Sequence, residues 1–115
     1  MDLQNYLTKL KSSPQDIEFE ETMSIIDLSY NFKPSAFLNG ETENEENQNN
    51  GSCKIFAFGQ LHQLDVQQTL ACFGRFYRED VLKHPDGQDH QNIRSFMKTG
   101  WEGIRFAHSP LSAKH

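Results

Sequence analysis

The chain is 115 residues long, the length of one typical domain, which is enough to bury a core without staples. Aromatic residues at 11% and charged residues at 23% make it globular and exclude wholesale disorder. Its formal net charge of −5 repels phosphate backbones and anionic headgroups, so nucleic acid and membrane-surface partners are not expected.

Leu3, Tyr6, Leu7 and Leu10 recur at offsets of 0, 3, 4 and 7, which predicts a first helix ending near Ser12, before Pro14. The opening MDLQNYLTKLKSS has no apolar stretch of signal-peptide length, and no run of 18 apolar residues follows anywhere. Phe19, Met23 and Ile26 predict a second helix over about Glu20 to Leu28, although IIDLSYNF would also suit a strand. Phe32 to Leu38 reads as extended, with Pro34 at a bend or edge. GETENEENQNNG, from Gly40 to Gly51, holds no apolar residue and is flanked by Asn-Gly dipeptides, so an exposed loop is expected over 40–51. Ser52 to Phe58 is predicted as the central strand, with Cys53, Ile55 and Ala57 on one face and Lys54, Phe56 and Phe58 on the other.

Asp65 and Gln68 form a capping-box pattern, and Val66, Leu70, Phe73, Tyr77 and Val81 then make a helical stripe running through Gly74. Gly74 costs a helix about 1 kcal/mol relative to alanine, which implies a close backbone approach, most simply by the sheet. Arg75 and Glu79 stand four apart, as a surface ion pair would. A last helix is expected from Asp89, with Ile93, Phe96 and Met97 inward, Gly100 after its end and Trp101 folded back on Phe96. Ile104 to Phe106 is a short strand and 109–115 a loose tail. The sum is a single α+β domain over 1–115, about four helices packed on a small, mainly antiparallel sheet.

The candidate chemistry is sparse. Cys53 is a possible thiolate nucleophile, with Lys54 nearby and His62 or His90 as base, but a free cysteine on an apolar strand face is ordinarily buried packing. Cys72 is weaker still, and neither cysteine belongs to a Cys-x-x-Cys pair, so reduced thiols are expected. His62, His84, His90, His108 and His115 lack the spacing of a helical metal clamp, so no metal and no cofactor is expected. His90 and Arg94, with Arg75, Tyr77 and Arg78, could line a cleft for an anion or carboxylate; alternatively Arg78, Glu79, Asp80 and Arg94 form a salt-bridge network between two packed helices.

The strings NNGSCKIFAFGQL and TLACFGRFYREDVLKHPDGQDHQNIRSFMKTGWEGIRF, with IEFEETMSIIDLSYNFKPSAFLNG before them, resemble the HopJ type III effector family over nearly the whole chain. The resemblance implies a bacterial protein made in the cytoplasm and exported by a type III secretion system into a host cell. It brings no catalytic residue set. The leading expectation is therefore a protein-interaction module for a host or bacterial protein partner, using its acidic surface and the 40–51 loop. The second is a small cytoplasmic ligand-binding protein or enzyme whose small-molecule pocket uses Cys53, Lys54, Tyr77, Arg78, His90 and Arg94.

Overall fold

A computed structural model describes residues 2–114. Helix α1 (Leu3–Ser12) starts from Asp2, whose carboxylate accepts from the Asn5 N–H, and buries Tyr6 and Leu10. A turn at Pro14–Asp16 leads to α2 (Phe19–Ser29), which opens with a reciprocal capping box between Glu18 and Glu21 and buries Thr22, Ile25 and Ile26. Three short strands follow: β1 (Tyr30–Phe32), β2 (Phe37–Asn39) and β3 (Thr42–Asn44).

Residues 52–58, expected as the central strand, lie instead inside α3 (Asn50–Leu61). Cys53, Ile55, Phe56, Ala57, Phe58 and Gly59 are all buried, so the helix is apolar nearly all round and sits at the centre of the molecule. An apolar run of this kind reads the same as strand or buried helix, and only its twelve-residue length favours the helix.

The stripe from Val66 to Val81 is two pieces. Helix α4 (Val66–Ala71) has the expected Asp65/Gln68 capping box, and a turn at Gly74 then leads into a π-helical segment, Phe76–Val81. Gly74 has φ +61°, and a Cβ there would stand 2.6 Å from the Phe19 backbone nitrogen. The close approach is thus by the chain entering α2, not by a sheet. Arg75 consequently pairs with Glu20 at 2.7 Å, and Glu79 takes Lys83 in place of Arg75.

Helix α5 (Gln91–Thr99) begins after His90, not with an Asp89 cap, and buries Asn92, Ile93 and Phe96. Gly100 follows with φ +60°, and Trp101 packs edge-on to Phe96 at 5.0 Å. Strand β4 (Ile104–Phe106) completes an antiparallel sheet in the order β3-β2-β4, while β5 (Leu111–Ala113) pairs antiparallel with β1. Two expectations are corrected here: 40–51 contains β3 and the start of α3, and 109–115 contains β5. Four helices of nine to twelve residues on small antiparallel sheets make the α+β domain, its single core built round α3.

Candidate functional site

Helices α3 and α5 begin alike. Their N-cap residues, Asn49 and His90, have φ of 52° and 51°, and neither helix start is capped by that residue's side chain. The first N–H groups of any helix lack intrahelical partners, so these two starts leave donors over. Both open on one cleft of about 530 Å³, lined by Asn49, Gly51 and Ser52 from one helix and by His90 to Ile93 from the other. Phe19, Phe73 and Phe76 supply an apolar wall, and β3 adds Thr42, Glu43 and Asn44.

Behind that opening lies a cluster of asparagines. Asn39 is fully buried and donates to Asn92 twice, to its main-chain oxygen at 2.7 Å and its Oδ1 at 3.1 Å. Asn44 and Asn92 exchange amide bonds, Nδ2 to Oδ1, at 3.1 and 2.9 Å. Asn49 donates to Asn44 Oδ1 at 2.6 Å. The cluster ties β2, β3 and the starts of α3 and α5 together, which is what places the two helix ends beside each other.

His90 stands at the cleft's margin. Its ring lies 5.2 Å from that of Phe76, and its Nε2 is 3.0 Å from Asp80 Oδ2 and 3.8 Å from Asp89 Oδ2. Arg94 donates through Nη2 to Asp89 Oδ1 at 2.7 Å, which holds the Asp89 carboxyl below its usual range. Asp80, Asp89 and His90 do offer three potential ligand atoms within 4.8 Å of one another, a grouping that spacing along one helix could not reveal. Asp80 and Asp89 both contact His90, Asp89 also pairs with Arg94, and Asp89 is exposed while Asp80 and His90 are half-buried, so the arrangement is accounted for as a polar cluster closed on itself.

The six residues expected to form a pocket are dispersed. Cys53 is fully buried with its Sγ 3.8 Å from the Ser35 carbonyl, and burial pushes its thiol up, which keeps it protonated and out of reach. Lys54 pairs with Asp27 at 2.8 Å and lies over the Phe32 ring. Tyr77 reaches Gln67, and Arg78 donates to the Ile17 carbonyl at 2.7 Å and to Glu18 at 3.4 Å. Arg94 serves Asp89 and the His84 carbonyl, and of the six His90 alone lines the cleft. The expected network of Arg78, Glu79, Asp80 and Arg94 is likewise split among other partners.

His62, the other base considered for Cys53, is held by the Tyr30 hydroxyl at 2.6 Å, and burial lowers its pKa. His108 Nε2 lies 2.9 Å from the Pro34 carbonyl, and His115 falls outside the described residues. The asparagines that build the cleft were missed as a group. Their signal was the amide-rich stretch from Asn39 to Asn50, which read as a solvated connection.

The family profile described as HopJ type III effector protein matches residues 3–111. A crystal structure described as that of an unknown function protein, VPA0580, superposes with a TM-score of 0.98 at 65% identity, covering 99% of this chain and 95% of the other. A comparison with curated proteins gave no match. Among the described residues, no helix is long and apolar enough to cross a membrane.

Proposed function

Because the chain belongs to the HopJ type III effector family, we propose that it is exported by a type III secretion system into a host cell and acts there by binding a protein partner, not by catalysis. The observation that carries this reading is the contrast between spent and unspent groups. The residues with reactive potential are buried or bound internally, while the cleft between α3 and α5 keeps free donors beside an aromatic wall. Its neighbour in sequence, the exposed acidic stretch Glu41, Glu43, Glu45 and Glu46, gives a rim for partner selection. The cleft volume of about 530 Å³ also lies in the range of small-molecule sites, which favours a ligand-binding role as the second reading.

Two experiments test the proposal. Export of the tagged protein is compared between a wild-type bacterium and one with a disabled type III apparatus; export only from the former is expected, and retention in both sinks the effector role. A photo-crosslinking residue is then placed at Glu43 and, as a control, at Leu28 on α2, which is 61% exposed and away from the cleft lining. Capture of one discrete protein from Glu43 alone is the expected outcome. Equal capture from both positions, or none, refutes docking at this cleft.

A further inference from the structure

We infer that the cleft recognises a carboxylate carried on an apolar body. The inference deepens the interaction reading and rests on the cleft being the recognition site. It follows from counting hydrogens: an amide nitrogen carries two and an amide oxygen has two lone pairs. Asn44 Oδ1 accepts from Asn49 and Asn92, and Asn92 Oδ1 accepts from Asn39 and Asn44, so both oxygens are full. The Nδ2 groups of Asn44 and Asn92 each donate once, which leaves one hydrogen on each without a partner among the described residues.

These side chains are more than nine-tenths buried, at 3% and 6% exposure, and both line the cleft. An unpaired buried donor is costly, so the site asks for an acceptor. The uncapped starts of α3 and α5 make the same demand from the backbone and add the positive ends of two helix dipoles. The paired amides of Asn44 and Asn92 and the two helix starts thus border one space.

The remaining lining narrows the chemistry. No lysine or arginine is among the lining residues, and Glu43 is, with Asp80 and Asp89 close to His90. These acids repel any anion, but a phosphate dianion about twice as strongly as a single charge, and polyanions are usually held by guanidinium or ammonium groups. A carboxylate has a single charge and two acceptor oxygens that neighbouring N–H groups can share. Phe19, Phe73, Phe76 and Ile93 then receive the apolar body to which it is attached. Such a group occurs at the C-terminus of a partner chain ending in an apolar residue, and in free aryl or alkyl acids.

The test is amide NMR of the intact protein with four probes: 3-phenylpropionate, its primary amide, and acetyl-Gly-Gly-Phe with a free or an amidated C-terminus. The acids should move the backbone signals of Ser52 and Gln91 and the side-chain amide signals of Asn44 and Asn92, and the amides should bind at least about tenfold more weakly. Asn92 itself is a poor variant, because its loss threatens the fold. Ser52→Asp and Gln91→Glu instead place a carboxylate in a first helical turn, where the dipole stabilises it, and should abolish the shifts while the protein stays folded. Tighter binding of the peptide acid assigns the group to a partner's C-terminus, and tighter binding of phenylpropionate to a free acid; either supports the carboxylate. Equal response to acid and amide, or no shift at about 10 mM acid, a concentration that detects even millimolar affinity, overturns it. Capture of a partner from Glu43 by a cleft that ignores carboxylates would refute this inference and leave the interaction reading standing.

Discussion

Two polar clusters buried among the described residues differ in whether their hydrogen bonds close. In the first, the Tyr6 hydroxyl lies 2.7 Å from Thr22 Oγ1, the Thr22 hydroxyl donates to the Cys72 carbonyl at 2.8 Å, and the Cys72 thiol donates to the Gln68 carbonyl. Each hydrogen has an acceptor, and the cluster fastens α1 and α2 to the end of α4. In the second, Asn44 and Asn92 fill their Oδ1 atoms but each leave one amide hydrogen over, and Asn39 Oδ1 has no partner among the described residues. A closed cluster is explained by the fold it holds. An open one that reaches a cleft is not, and that is why the proposed recognition is placed there.

Alkali should separate the two most sharply, because phenol and thiol titrate and amides do not. Burial holds the Cys72 thiol at about 12, against an ordinary value of 9.0, and raises the Tyr6 hydroxyl as well. With the folded pKa above the unfolded one, the stability from Cys72 is whole below about 9 and drains as pH climbs toward 12. Circular dichroism against pH should show unfolding in that window, and Cys72→Ala should make the loss less steep. An unchanged alkaline profile in the variant would detach Cys72 from the fastening.

Asn92→Leu comes next, at about 3 kcal/mol in urea denaturation, since it strips partners from Asn39 and Asn44 together. Tyr6→Phe should cost about 1 kcal/mol, because Thr22 keeps its bond to the Cys72 carbonyl. A Tyr6→Phe loss as large as that of Asn92→Leu would erase the distinction between the clusters. Cys53→Ser should also cost about 1 kcal/mol and leave partner binding intact, as its thiol is buried in the core and its hydrogen bond goes to the Ser35 carbonyl. Arg75→Ala, whose side chain is half exposed among acidic partners, should stay within about 0.5 kcal/mol and sets the baseline for the rest.

The helices with one apolar face were legible in the sequence. Leu3, Tyr6, Leu7 and Leu10 gave α1 its bounds, and the Asp65/Gln68 box marked where α4 begins. Helix α3 was not, because a helix buried on every side has no polar face to reveal its period. The break at Gly74 was also hidden: the stripe from Val66 to Val81 fits one straight helix, and the π-helical turn that replaces it comes from tertiary contact with the chain before α2. For the site, side chains that attract attention singly, Cys53 and the arginines, proved to be internally satisfied. The asparagines matter as a set, and which of their hydrogens remain free depends on pairings between residues up to 53 positions apart.

The fastening at Tyr6 has a mechanical meaning. It is the first fully buried side chain after the amino end, and its hydroxyl sits 3.3 Å from a sulfur 66 residues further on. A pull applied at Asp2 therefore loads the centre of the molecule almost at once, before any outer strand is disturbed. A load carried along α1 would therefore be resisted at the core and released in one step, not by gradual fraying.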